Sequence, residues 1–348
     1  MKFNSPFIYI IALSGLLSCQ QNSNTPNETS QSVKKNSEGM IWIEGGEFMM
    51  GCSGENCAEV EMIPHKVKVD GFWIDETEVT NKQFRTFVEA THYVTVAERP
   101  IDWEEMKKQV PPGTPKPPDE VLQPGSLVFT PPPGVVELND YTQWWRWVTG
   151  ANWQHPQGPG SSIEGKDNHP VVQIAFEDAQ AYATWAGKSL PTEAQFEFAA
   201  RGGLDAKEFS WGNELNPQGK YLANYFQGSF PNNNSGDDGF VGTAPVKSFP
   251  PNRYGLFDMT GNVWELCSDW YEVAPKSSIK SNTIDYNPVG PTATSDPYDP
   301  FAIKHVSKGG SFLCSNQYCS NYKPSGRQGS SYDSGMDHTG FRCVKNSK

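Results

Sequence analysis

The run Trp185-Ala186-Gly187-Lys188-Ser189-Leu190-Pro191-Thr192-Glu193-Ala194-Gln195-Phe196-Glu197 closes one helix and caps the next. Phe176 to Ala186 carries its apolar residues on one side and meets Gly187, a residue that tolerates the left-handed turn where helices stop. Pro191 then leads Thr192, and Gln195 three residues on completes a capping box. A second helix is therefore predicted through Phe196 and Phe198 to Gly202-Gly203. Further out, Thr80 and Gln83 form the same box ahead of Phe84, Phe87 and Val88, which predicts a third helix. The remaining patterns are short. Met40 to Met50 reads as a hairpin turning at Gly45-Gly46, and Lys66 to Ile74 as another across Gly71. No long alternation of strands with helices is present, which argues against a doubly wound parallel sheet. The expectation is one α+β domain over residues 40–348, with few helices, short strands and much irregular chain.

The 348 residues include 11 Trp, 13 Tyr and 19 Phe, enough to build a large core without long helices. The formal net charge is −12 and no basic run occurs, which argues against nucleic acid and against an anionic membrane face as partners. Pro111-Pro112, Pro117-Pro118 and Pro131-Pro132-Pro133 predict that 101–139 is a long surface excursion without regular structure. Trp144, Trp145, Trp147 and Trp153 follow it. Core packing suits most of them, with one or two free to line a peptide groove.

Residues 1–19 read as an export signal. Lys2 precedes the apolar run Phe7 to Leu17, and Leu16-Leu17-Ser18-Cys19 resembles a bacterial lipoprotein signal in which Cys19 becomes the lipidated first residue. The apolar run is too short for a stable membrane span. Residues 20–39 lack large apolar side chains over most of their length and read as a flexible tether. These features place the domain at the bacterial cell envelope, periplasmic or surface-facing, with membrane contact only through the lipid.

Two cysteines stand five positions apart in Lys308-Gly309-Gly310-Ser311-Phe312-Leu313-Cys314-Ser315-Asn316-Gln317-Tyr318-Cys319. The plain reading in an exported chain is a small structural disulfide. The other reading is a working thiol pair, with Gly309 and Gly310 letting the backbone come close to whatever the thiols hold. A thiol–disulfide oxidoreductase normally uses Cys-x-x-Cys at a helix start, and the spacing here differs. A local Cys52–Cys57 disulfide is expected in a Gly-containing loop, and a Cys267–Cys343 bridge stays open.

The Trp185–Glu197 run resembles the signature of the formylglycine-generating enzyme (sulfatase-modifying factor) family. So do Gly150-Ala151-Asn152-Trp153, Gly239-Phe240-Val241-Gly242-Thr243-Ala244-Pro245-Val246, and Tyr254-Gly255-Leu256 running to Gly261-Asn262-Val263-Trp264-Glu265. Gly309-Gly310-Ser311 and Gly340-Phe341-Arg342-Cys343 complete the series, in order, over about residues 40 to 345. The resemblance implies a single compact C-type-lectin-like domain.

Cys314 and Cys319, with Ser311 ahead and Tyr318 adjacent, are similar to the catalytic stretch of the active members. That implies two thiolates holding Cu(I), and conversion of the cysteine in a Cys-x-Pro-x-Arg motif of an unfolded sulfatase polypeptide to Cα-formylglycine with dioxygen. Ser311 would orient the substrate or an intermediate. Soft thiolates match Cu(I), whereas zinc would want further ligands such as His305 and His338. The resemblance also implies structural calcium at Asn224, Tyr225, Asp238 and Phe240, and again at Asp258, Gly261, Val263 and Glu265. Such hard oxygen ligands suit that ion. Near Lys323 and His338 the residues depart from the family's common choices, which leaves peptide preference open. The alternative function is a noncatalytic lipoprotein of the same fold, acting as a binding or assembly module.

Overall fold

The computed structural model describes residues 34–36, 38–52, 57–273 and 283–347. The signal segment with Cys19, and the tether up to Val33, lie outside the described residues. The fold reaches back at least to Lys34, ahead of the expected start at Met40. Trp42 donates its backbone N–H to Lys34 O at 3.0 Å, and Lys35 Nζ pairs with Glu76 at 2.5 Å.

The first four strands are β1 (Met40–Ile43), β2 (Gly46–Met50), β3 (His65–Val69) and β4 (Phe72–Asp75). The two expected hairpins do not form. Instead β1 pairs antiparallel with β4, and β2 with β3, in a register that continues across the break. Residues 40–50 and 65–75 are thus the arms of a single long hairpin. The reason lies at the corner, where Gly45 packs on the opposite arm so closely that a Cβ would lie 2.5 Å from Val69 O. The glycines let two ribbons cross and change sheet; they do not reverse the chain. The hairpin's loop carries the expected Cys52–Cys57 disulfide, with Cα atoms 5.6 Å apart.

Thr80 caps α1 (Asn81–Thr91), and its box with Gln83 closes as the spacing predicts. The excursion over 101–139 is less irregular than its prolines suggest. It holds α2 (Trp103–Met106) and β5 (Gly125–Phe129), which pairs antiparallel with β6 (Trp145–Thr149). The prolines bound the strand without entering it, so Leu127, Val128 and Phe129 are free to pair. Ser126 Oγ donates to Gly335 O at 2.7 Å and Phe129 N–H to Asp337 Oδ2 at 3.1 Å, which ties the excursion to the C-terminal segment.

The central helices are α3 (Phe176–Trp185) and α4 (Glu193–Arg201); Thr192 and Gln195 form the capping box, and Gly202 ends α4 at φ +56°. The short pair β7 (Gly228–Ser229) and β8 (Asn233–Asn234) precedes β9 (Trp264–Trp270), β10 (Asp285–Tyr286), β11 (Lys304–Lys308), β12 (Arg327–Ser331), β13 (Thr339–Gly340) and β14 (Val344–Asn346). A four-stranded sheet runs β12-β11-β9-β13, and three-stranded sheets run β1-β4-β14 and β10-β3-β2.

One core, around Phe196, Phe198, Val67 and Leu256, packs α4 on β2 and β3; another joins α1 and α3 through Phe84, Phe87, Tyr182 and Phe341. Cys267 belongs to the first and Cys343 to the second, both as free buried thiols, so no bridge joins them. Buried charges fasten α4 to the sheet. Lys308 Nζ meets Glu197 Oε2 at 2.9 Å, Arg201 bonds Glu197 Oε1 at 2.7 Å, and Arg327 bonds Glu193 Oε1 at 2.7 Å. Lys308 is the last residue of β11, so this network fixes the point from which the cysteine turn departs.

Candidate active site

After Lys308, Gly309 and Gly310 take φ +89° and +73°. A Cβ on Gly310 would lie 2.7 Å from Asn321 C, and one on Gly309 3.1 Å from Met259 O. The close approach these glycines allow is to neighbouring backbone. Three backbone bonds pin the turn: Gly261 N–H to Gly309 O at 2.8 Å, Phe312 N–H to Asn262 O at 2.9 Å, and Phe226 N–H to Cys314 O at 2.9 Å.

The turn brings Cys314 Sγ to 2.9 Å from Cys319 Sγ without a disulfide. A disulfide would hold them at about 2.05 Å, so the pair stands as two sulfurs sharing a hydrogen. Ser311 donates its backbone N–H to Cys314 Sγ at 3.4 Å, and Asn321 its side-chain amide to Cys319 Sγ at 3.3 Å. Burial first, and then the bond with Cys319, push the Cys314 thiol well above its ordinary value. The bond from Cys314 holds Cys319 below the ordinary value despite burial, and Asn321 adds to it. Among the described residues, no third His, Cys, Asp or Glu closes a ligand cluster with these sulfurs.

The sulfurs lie in a cleft of about 360 Å³ lined by Tyr141, Trp144, Trp145, Phe230, Trp264, Ser311, Tyr318 and His338. Tyr318 stacks on Phe230 at 4.9 Å, and Trp144 meets both rings edge-on. Trp144 and Trp145 are thus the tryptophans that line a groove, while Trp153 packs in the core beside Phe84. The excursion supplies Leu127, and the stretch just after it Tyr141, so it builds part of one wall. His305 is elsewhere, stacked between Phe176 at 3.4 Å and Trp270 at 4.0 Å, so the structure does not assemble the His305–His338 zinc set.

The oxygen-bearing residues form two groups against the same turn. In the first, Asp238 accepts from Tyr225 N–H at 3.2 Å, from Phe240 N–H at 2.9 Å and from the Gln227 amide at 2.9 Å. The Gln227 amide also donates to Tyr225 O. Asn224 Oδ1 is buried with no hydrogen-bond partner among the described residues, and burial raises the Asp238 carboxyl. An orphaned oxygen beside a half-buried carboxylate fits a hard cation.

In the second group Asp258 and Glu265 are joined by Glu78, a residue that sequence reasoning missed. Glu265 is bound at both oxygens by Arg342, at 2.7 Å each. Glu78 Oε1 accepts from Asn262 Nδ2 at 3.0 Å, and its Oε2 has no partner among the described residues. Burial, then Asp258 and Glu265, push Glu78 well above a carboxyl's ordinary value, and burial raises Asp258 to about 6. Ionising all three buried carboxyls beside one arginine would leave an excess of negative charge, which a cation would offset. Gly261 and Val263 lie between Asp258 and Glu265 on the connecting segment, and a Cβ on Gly261 would lie 2.4 Å from Asn224 O. The two groups thus touch backbone to backbone.

The family described as "Sulfatase-modifying factor enzyme 1-like domain" matches residues 25–347. A formylglycine-generating enzyme of Thermomonospora curvata is 43% identical over 322 residues, covering 92% of this chain and 96% of that protein. One of Mycobacterium tuberculosis is 45% identical over 307 residues, covering 88% and 97%. A Bos taurus relative named inactive C-alpha-formylglycine-generating enzyme 2 is 34% identical, covering 88% and 87%. The structure of PvdO from Pseudomonas aeruginosa shares the fold at a TM-score of 0.58 and 20% identity, covering 91% of this chain and 98% of that one. The chain belongs to the formylglycine-generating enzyme family of sulfatase-modifying factors.

Proposed function

We propose that the protein is a copper(I)-dependent oxidase that matures sulfatases, converting the cysteine of a Cys-x-Pro-x-Arg segment in an unfolded polypeptide to Cα-formylglycine with dioxygen. The observation that carries this is the pair of unbridged sulfurs 2.9 Å apart in an aromatic cleft. Two soft donors, with no third His, Cys, Asp or Glu clustered on them among the described residues, suit Cu(I), which is content with low coordination. When bound, copper(I) would supply the meeting point for the substrate sulfur and dioxygen.

The chain's own residues do the rest. The Ser311 N–H and the Asn321 amide orient the two sulfurs and would stabilise their thiolates. Ser311 Oγ accepts from Leu313 N–H at 3.2 Å and its side chain also bonds Cys314, so from the cleft lining it would orient the sulfur and whatever substrate or intermediate meets it. The stacked rings give an extended peptide an apolar wall beside the sulfurs. Mass spectrometry of a Cys-x-Pro-x-Arg peptide tests the reading, with and without Cu(I), under air and under nitrogen. Formylglycine should form only with both copper and oxygen. An unchanged peptide under all four conditions would favour a noncatalytic module; one relative is itself named inactive.

The two oxygen-lined groups are proposed to hold structural calcium, at Asn224, Tyr225, Asp238 and Phe240, and at Asp258, Gly261, Val263 and Glu265. Asp238→Ala should lower the melting temperature and blunt the gain from added calcium. In the unmutated protein, calcium at a hundredfold excess over its Kd should add about 2.7 kcal/mol for each occupied site. Glu265 is a poorer probe, because its removal also strands Arg342. Equal melting temperatures of the unmutated protein in calcium and in chelator would contradict both sites.

A lipid on Cys19 is proposed to hold the domain at the bacterial envelope, facing the periplasm or the surface. Fractionation checks it: Cys19→Ala should leave the membrane fraction, and an unmutated protein wholly soluble and without lipid mass would sink the idea.

A further inference from the structure

The cleft lining includes an imidazole that the thiol pair does not explain. His338 is 5% exposed and lines the cleft together with Cys314, Cys319 and Ser311. Its ring lies on Trp145 with centroids 4.9 Å apart, and its backbone is fixed because Trp264 donates its N–H to His338 O at 2.9 Å. His338 Nδ1 faces Asp337 Oδ1 at 3.9 Å, and neither atom has a closer partner among the described residues. Asp337 is itself 3% exposed, and its other oxygen accepts from Phe129 N–H of β5. A carboxylate on the Nδ1 side of the ring favours a proton there, which leaves Nε2 as the ring's acceptor.

We propose that His338 is the proton acceptor for the substrate cysteine, with Asp337 as the residue that positions it. This rests on the oxidase reading above. The step is one proton transfer: the S–H bond of the substrate breaks, its proton passes to His338 Nε2, and the products are a thiolate and an imidazolium facing Asp337. A thiolate forming among Trp144, Trp145 and Phe230 is costly without an acceptor for the proton nearby. The other titratable groups facing the ring are Asp337, Tyr141, Tyr318, Cys314 and Cys319. Phenols are donors at neutral pH, and burial pushes Tyr318 further up. In the copper-loaded protein the two cysteines are committed to the metal, and Asp337 lies on the far, Nδ1 side of the ring, so His338 is the acceptor that remains.

The test uses the copper-loaded full chain. His338→Gln keeps a polar side chain of similar reach but cannot accept the proton. At neutral pH it should lose at least about a hundredfold in kcat/KM, the usual scale of a general base. The loss should shrink at high pH, where the substrate thiol ionises unaided. Asp337→Asn should move the acidic limb of the pH profile to lower pH, because the imidazolium loses its anionic neighbour; a merely structural residue would leave that limb in place.

A second measurement needs no variant and no turnover. Under nitrogen, ¹⁵N resonances of the imidazole in the unmutated enzyme should report protonation with a Cys-x-Pro-x-Arg peptide and not with its serine analogue. Unchanged pH dependence in a folded, copper-loaded His338→Gln variant overturns the proposal, as does an imidazole that stays neutral with the cysteine peptide. Unmutated enzyme that converts no peptide at all overturns the oxidase reading and this inference with it, whereas turnover with a flat profile removes His338 alone.

Discussion

Cys314→Ser and Cys319→Ser should each lose nearly all turnover of a Cys-x-Pro-x-Arg peptide while leaving the protein folded. A serine hydroxyl is hard and stays protonated, so it cannot replace a soft thiolate. Removing a group that merely orients a metal ligand already costs about 10–100-fold, and losing a ligand outright should exceed that. Purified reduced protein should take up about one Cu(I) per chain, as two thiolates complete one low-coordinate site, and either variant should take up little. The fold should survive because the turn is held by backbone bonds from Gly261, Phe312 and Phe226, none of which needs a sulfur. Sulfurs that acted as a structural staple would give the opposite pattern: lost stability, unchanged turnover and no dependence on copper or oxygen. Copper uptake, thermal melts and peptide conversion under air separate the two, and a fully active Cys319→Ser variant would falsify the oxidase reading.

The parts of this fold that were legible in the sequence are those whose cause is local. Thr80 with Gln83 and Thr192 with Gln195 each cap a helix through groups three residues apart, so spacing alone reveals them. The hairpins misled because pairing is decided at a distance. Nothing in Gly45-Gly46 says that the Val69–Gly71 backbone crosses there and hands each half to a different sheet. β5 hid between prolines because its partner, Trp145–Thr149, is reached only after the chain has doubled back.

The sulfur pair was legible as a motif, through the resemblance, but its surroundings were not. Trp144, Phe230, Trp264 and Tyr318 come from four separate segments to line one cleft. Glu78 carries no signal in its own neighbourhood. It joins Asp258 and Glu265 only through the fold, and its burial with an unpartnered oxygen is what marks it.

Glu197→Gln should be the most destabilising of the substitutions considered, although it changes no volume to speak of. The carboxylate is fully buried and accepts from Lys308 at 2.9 Å, from Arg201 at 2.7 and 3.1 Å, and from Gly51 N–H at 2.7 Å. Removing its charge leaves two buried cations with Glu193 as the nearby anion, and Glu193 is already bound by Arg327 and lies 3.6 Å from Lys308. Breaking one partner of such a set costs about 3–5 kcal/mol, against a total stability of about 5–15 kcal/mol for a domain.

The effect should depend on pH in a defined direction. Burial alone would raise the Glu197 carboxyl, but Lys308 and then Arg201 outweigh it and hold it at about 2, below the ordinary 4.5. Its contribution is therefore complete above about pH 4.5 and is lost as pH falls toward 2. Urea unfolding of the two proteins should differ most at pH 7 and converge as the pH approaches 2. Because Lys308 immediately precedes Gly309, the variant should also loosen the cysteine turn. Copper uptake should then fall at temperatures where far-ultraviolet circular dichroism still shows native secondary structure. Equal urea midpoints at pH 7, or a difference that stays constant down to pH 2, would show that the network does not hold this end of β11.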